Sequence, residues 1–287
     1  MLTYYLFRVA AWLVPLLPLR PGYVLASLAA DVCWVCKPRA RKSVEANLRY
    51  VIGPGADSRQ VKALARRVFH TAAKNYYDLF RVRKLDLSQV RGLVALNGLE
   101  NLNGALKRRK GVILVLAHLG NLDLVAQVSA AYSYRVTIPV EHFSPQKLFE
   151  LVTKMRVANG LNFVPVDGGA LRAIHRALSN NEVVAIASDR DVLRNGVEVH
   201  FFGKATTVPD APAVLALRTG AVILPTVSLR HDDGTYSISM GPPLDMRYTG
   251  DLRKDVRYNS QAIVYELEKF IRQHPEQWVV FEPIWAS

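Results

Sequence analysis

The chain has 287 residues, 50% of them hydrophobic and 21% charged, too much apolar content for a disordered chain and enough for one sizeable core. Its two cysteines cannot build a disulfide framework. Lys and Arg outnumber Asp and Glu by 37 to 24, a net charge of +13, so a polyanionic partner is expected: nucleic acid, an anionic membrane face or a phosphate-bearing substrate.

Between residues 1 and 36 the only charges are Arg8, Arg20 and Asp31. Pro15, Pro18 and Pro21 interrupt this apolar run before it reaches the ~20 residues of a spanning helix. The segment predicts two helices joined by a proline-rich turn, lying in or against a membrane face, or else an ordinary pair of core helices. It lacks the pattern of a cleaved signal peptide. Lys37, Arg39, Arg41, Lys42 and Arg49 follow, opposed by Glu45. They are placed to meet anionic headgroups on the cytoplasmic side; a solvated helix face is the alternative. Residues 1–50 are read as a membrane-associating unit and residues 51–287 as the α/β domain. Cys33 and Cys36 spell C-x-x-C without a preceding strand or further zinc ligands nearby, and are expected to be buried small residues.

From residue 58 to 83 apolar residues recur at three and four, the pattern of an amphipathic helix. Beyond Gly92 the pattern alternates. Strands are predicted at 112–117, 136–140, 163–166, 183–187, 222–229, 236–240 and 277–281. Helices are predicted at 122–131, 145–159, 170–180, 211–219 and 260–273. This alternation implies an α/β fold with a central mixed, largely parallel sheet flanked by helices.

In such sheets ligands gather at the carboxyl ends of the strands. The apolar strand at 112–117 runs into His118-Leu119-Gly120-Asn121-Leu122-Asp123. Gly120 permits a tight turn that can bring His118 and Asp123 together. The carboxylate would accept Nδ1–H and leave Nε2 as a base for a hydroxyl; a satisfied structural histidine is the alternative. The amides of Gly120 and Asn121, and the Arg156 guanidinium, are candidate oxyanion donors. Lys107, Arg108, Arg109 and Lys110 precede the strand and suit phosphates, an acidic carrier or a solvated loop. Asp189, Arg190 and Asp191 follow the strand at 183–187. They read as an ion-pair cluster shaping a groove, since Arg190 offsets a carboxylate that a metal would need. In a probable hairpin, alternation puts Glu198, His200 and Phe202 on one face, so Glu198 is either a site residue or a solvated edge. The chain contains neither G-x-S-x-G nor a nucleotide-binding glycine motif.

The stretch GVILVLAHLGNLD at 111–123 resembles the H-x-x-x-x-D/E region of the bacterial lipid A (late) acyltransferase family. SDRD at 188–191, GVEVHFFG at 196–203, HPEQW at 274–278 and ANLR at 46–49 extend the likeness over nearly the whole chain. The second block is most similar to the phosphatidylinositol mannoside acyltransferase branch, which usually has Trp where this chain has Leu122. The resemblance implies a glycerolipid acyltransferase-like fold on the cytoplasmic face of the bacterial inner membrane. It implies transfer of a fatty acyl group from acyl-CoA or acyl carrier protein, through an apolar channel, to a hydroxyl of a membrane glycolipid. By position His118 would be the base and Asp123 its orienting partner. Glu198 would hold the acceptor or support His118, and Glu141 and Arg156, with Arg190 and Asp191, would line the substrate groove. No cofactor, metal or nucleic acid is implied. A basic, non-enzymatic membrane-surface or nucleic-acid-binding protein is the competing reading, and it leaves His118 and Asp123 without a role.

Overall fold

The computed structural model describes residues 2–82, 85–156, 161–166 and 169–285. Its centre is a seven-stranded sheet, made of β1 (Val94–Asn97), β2 (Val112–Leu116), β3 (Val136–Val140), β4 (Leu161–Pro165), β5 (Val183–Ala187), β8 (Val222–Arg230) and β9 (Tyr236–Met240), in the order β1-β9-β8-β2-β5-β3-β4. Every neighbouring pair is parallel except β8 and β9. A separate antiparallel hairpin joins β6 (Val197–Phe201) to β7 (Lys204–Val208). The fold is therefore α/β with a mixed, mostly parallel sheet.

Both faces of β2 are apolar, as a central parallel strand requires. Ile113, Val115 and Ala117 join Val184 and Ile186 in a core with α9 (Ala170–Ser179), α10 (Ala211–Thr219) and α11 (Leu252–Gln273). The other face is covered by α6 (Leu99–Leu106) and α7 (Leu122–Ala131), flanked by α5 (Leu87–Leu93). α11 begins eight residues before the predicted position 260, because the Asp251 side chain accepts from Lys254 N–H and caps it there. The strand predicted at 277–281 is instead a 3-10 turn, Pro275–Gln277, with one bridge from Trp278 to Leu119. Gln277 bonds Arg230 through both side-chain atoms, which holds this segment across the sheet edge rather than beside a strand. The expected helix ends at Arg83 and Asn159 lie outside the described residues.

At the N-terminus, α1 (Leu2–Leu13) and α2 (Leu19–Cys36) are joined through a 3-10 turn, and α3 (Pro38–Ile52) carries the basic residues. Among the described residues no helix is long and apolar enough to cross a membrane. Phe7, Ala10, Ala11 and Val14 of the α1 segment pack against α4 (Ser58–Arg81) and α8 (Gln146–Arg156). Their neighbours Leu6, Val9 and Trp12 are exposed, as are Val24, Leu28, Val32 and Val35 of α2. Cys33 and Cys36 are exposed too, contrary to expectation; α2 is apolar on more than the face that packs, so apolar neighbours in sequence did not mean burial.

Gly22 lets α2 touch α4. A Cβ there would lie 2.1 Å from the Tyr77 ring, whose hydroxyl is tied to the Leu17 and Pro18 carbonyls. Replacing a helical glycine by alanine gains about 1 kcal/mol of propensity, while overpacking against a fixed ring costs about 1–3 kcal/mol. Gly22→Ala is expected to unfold at lower denaturant concentration than wild type; equal or greater stability would mean that the α2–α4 contact yields.

Candidate active site

The register of the sheet builds the site. Leu116 of β2 pairs with Ala187 of β5, and Ser188 N–H donates to the Leu116 carbonyl at 2.8 Å. Two residues beyond each strand, His118 and Asp189 meet. His118 Nδ1 lies 2.7 Å from Asp189 Oδ1, and His118 N–H donates to Oδ2 at 3.0 Å. The Trp278 indole donates to the same Oδ2 at 2.7 Å. Asp189 is fully buried, while 32% of the His118 side chain remains exposed.

Burial alone would push the Asp189 carboxyl up. The His118 charge and the hydrogen bonds from His118 and Trp278 outweigh it and hold it below the usual carboxylate range. A carboxylate has no proton to give, so Nδ1 must donate and Nε2 carries the lone pair. Burial would likewise lower His118, but the Asp189 charge and hydrogen bond overcome that, and the imidazole sits above its ordinary 6.5.

Asp123 is not the partner of His118, which corrects the expectation from their spacing. Its oxygens face Arg156, with Nε at 2.7 Å and Nη2 donating at 3.2 Å. The reason is local: Asn121 caps α7 through Leu124 N–H, so Asp123 already lies in the first turn of α7, where the helix directs it toward α8. Arg190 bridges Glu141 and Glu282, donating to the second at 2.7 Å. Asp123, Arg156, Glu141 and Arg190 all border the same cavity as His118.

The structure places several other expected residues away from the roles given them by the sequence. Glu198 does not line the cavity; it is exposed on β6 and pairs with Arg257 of α11 at 3.1 Å. His200 shares that exposed face, whereas Phe202 turns inward at φ 49° and is buried, because the hairpin turn ends the alternation. Asp191 also stands outside the cavity and accepts from Gly196 N–H at 2.9 Å, closing the loop before β6. The Gly120 amide is committed to the Gln277 carbonyl at 3.0 Å, so the oxyanion role expected of it is withdrawn. Lys107, Arg108, Arg109 and Lys110 are exposed where β2 begins, at the sheet edge opposite His118 and about 20 Å away at ~3.3 Å per residue.

The cavity, of about 530 Å³, runs along one face of the sheet. Leu114 and Leu116 of β2, and His118 just beyond it, alternate into it, as do Val183, Ala185 and Ala187 of β5. Leu122, Val125, Ala126 and Ser129 of α7 form the opposite wall. Leu122, the departure from the mannoside branch, therefore faces the cavity. The far end reaches Leu102, Tyr134, Val136 and Met240, at the edge where β3 begins. Ala185 and Ala187 of β5 and Ala126 and Ser129 of α7 leave space that larger side chains would fill. Among the described residues no group of three or more His, Cys, Asp and Glu could hold a metal.

The sequence groups Asp189 with Arg190 and Asp191 and does not single it out as the partner of His118. Its signal was positional: it stands two residues past a strand end, as His118 does. Without the strand order, nothing made those two strands neighbours.

A histidine–carboxylate pair at the carboxyl edge of a mostly parallel sheet, opening on a long apolar cavity, suits chemistry on a lipid chain. The whole chain, residues 1–287, matches the family described as bacterial lipid A biosynthesis acyltransferase. The chain belongs to this family. It is 31% identical over 225 residues to proteins named phosphatidylinositol mannoside acyltransferase from two Mycobacterium tuberculosis strains, CDC 1551 / Oshkosh and H37Rv. That match covers 77% of this chain and 66% of each relative, just under two thirds of their length. A protein of the same name from Mycolicibacterium smegmatis is 29% identical over 246 residues, 84% of this chain and 78% of the relative.

The pair also makes stability depend on pH. The contribution of His118, whose value is raised on folding, is fully present below its unfolded value near 6.5 and is lost as pH rises through the folded value. The contribution of Asp189, whose value is lowered, is present above 3.8 and is lost as pH falls through the folded value. The stability advantage of wild type over His118→Gln, measured by urea denaturation, should be larger at pH 5.5 than at pH 9. An advantage that does not shrink at pH 9 would show that the ion pair adds nothing.

Proposed function

We propose that this protein is a membrane-associated O-acyltransferase that moves a fatty acyl group from a thioester donor to a hydroxyl of a membrane glycolipid. The observation that carries the reading is His118, fixed through Nδ1 by buried Asp189, with its ring open to an apolar cavity. The acceptor class rests on the names of the relatives, which act in phosphatidylinositol mannoside acylation. The donor is acyl-CoA or acyl carrier protein, and its chain lies in the cavity with the thioester at His118.

Nε2 takes the proton of the acceptor hydroxyl as its oxygen attacks the thioester carbonyl carbon. The C–O bond forms, a tetrahedral oxyanion collapses, and the C–S bond breaks. The departing thiolate takes the proton back from Nε2, which restores the neutral imidazole. Asp189 keeps the tautomer and stabilises the transient imidazolium, the part the sequence assigned to Asp123. Asp123 instead orients Arg156 at the mouth, where a guanidinium offers a fork of donors to a phosphate or to the oxyanion. Residues 1–50 form the membrane-facing unit, with the exposed apolar residues of α1 and α2 in the interface and the basic residues of α3 on anionic headgroups. Residues 51–287 carry the reaction on the cytoplasmic face.

Purified protein incubated with membrane lipids and labelled palmitoyl-CoA, or palmitoyl carrier protein, should yield an acylated glycolipid detected by mass spectrometry. His118→Ala should lower the rate at least a thousandfold. In wild type kcat/KM should rise with pH through a value above 6.5, because the protonated imidazole cannot act as the base. A product formed equally by His118→Ala, or none with either donor, would end this reading.

A further inference from the structure

Behind the turn that carries His118 lies a buried polar cluster with no part in proton transfer. Asp78 of α4 is 2% exposed and faces Arg230 at the end of β8. The Asp78 carboxylate accepts from Tyr236 at 2.6 Å, Tyr23 at 2.9 Å and the Asn121 side-chain amide at 2.9 Å. Arg230 donates to both tyrosine hydroxyls and, at 2.7 Å, to Asn75 Oδ1. Asn75 then donates to the Gly120 carbonyl at 2.6 Å. Burial, then the Asp78 charge, pushes the Tyr23 hydroxyl up to about 12 and raises Tyr236 still further, so both stay protonated and both can donate.

Every route through this cluster ends on the catalytic turn. Asn75 holds the Gly120 carbonyl, and Asp78 holds the side chain of Asn121, which caps α7. Gly120 has φ 69°, and a Cβ there would lie 2.2 Å from the Ser228 carbonyl. The turn is thus pressed against β8 and needs restraint from the opposite side. Gln277, bonded to both the N–H and the carbonyl of Arg230, places its own carbonyl on Gly120 N–H.

We propose that the Asp78–Arg230 pair is a positioning device for His118, and that Tyr23 makes the seating of α2 a condition of it. This rests on the acyl-transfer reading for its consequence in rate, but not for its geometry. A buried ion pair with so many partners is weak evidence of stabilisation, because desolvation offsets much of its attraction; fixing one arrangement of the turn is what its bonds accomplish. Tyr23 belongs to a helix whose next residues, Val24 and Leu25, are exposed and apolar. The helix that would lie on the membrane thereby contributes a hydroxyl to the cluster that holds the catalytic turn.

The experiment compares wild type with Tyr23→Phe, which keeps the ring, and with Arg230→Lys, which keeps the charge but loses the fork. Thr249→Val, which removes a side-chain hydrogen bond to buried Asp255, is the control for a general loss of stability. The His118 imidazole is titrated by NMR, and kcat and donor KM are measured with anionic phospholipid vesicles containing the glycolipid. In Tyr23→Phe and Arg230→Lys the His118 titration should move down toward 6.5, as its contact with Asp189 loosens. kcat should fall at least tenfold, with donor KM within twofold. Thr249→Val should lower the melting temperature and leave the titration in place. A His118 titration in Tyr23→Phe equal to wild type overturns the proposal, whatever happens to the melting temperature. Should Arg230→Lys not fold, Tyr23→Phe decides alone. If wild type transfers no acyl group, the functional reading fails while the titration still judges the positioning.

Discussion

The buried carboxylate of Asp189 is the constraint on which the site depends. It cannot be solvated, so it must be satisfied from within. Three hydrogens do this, and they come from two parts of the chain: the backbone and ring of His118 after β2, and the indole of Trp278 near the C-terminus. Losing any of them leaves a charge in an apolar interior, so β2, β5 and the closing segment are held to one arrangement. Fixing the imidazole is a by-product of satisfying the carboxylate.

That arrangement gives each face of the sheet a different task. One face is filled by α9, α10 and α11 with large apolar side chains. The other, beneath α6 and α7, has Ala185 and Ala187 of β5 facing Ala126 and Ser129 of α7 and keeps a cavity between sheet and helix. The polar residues are placed where the two tasks meet, at the carboxyl edge, and the ion pairs Asp123–Arg156 and Arg190–Glu141 border the mouth. Away from it the cavity wall is mainly hydrocarbon, with Ser129 and Tyr134 among its residues.

Much of the fold could be read from one chain. The strand at 183–187 and the helices at 122–131 and 211–219 coincide with β5, α7 and α10, because each is bounded by turn residues and has a single period. What depended on long-range pairing could not be read. The register Leu116↔Ala187 makes His118 and Asp189 partners across more than seventy residues, while local spacing favoured Asp123. Glu198 was misplaced for the same reason: a carboxylate among aromatics in sequence stood on the outer face of a hairpin. Asp78 and Arg230 gave no signal, since a buried ion pair is defined by its surroundings and not by its own segment. C-x-x-C on α2 misled in the opposite direction, because a helix with apolar residues all round does not say which face packs.

The cavity along the sheet has a consequence for the protein at rest. A face of the core that is lined with Leu, Val and Ile but not filled lacks the contacts a closed interior would have. An occupant of the right length completes that core, and each methylene it buries gains about 0.8 kcal/mol, close to fourfold in affinity. The polypeptide is in this sense an unfinished hydrophobic interior, and any apolar ligand that completes it also stabilises the fold.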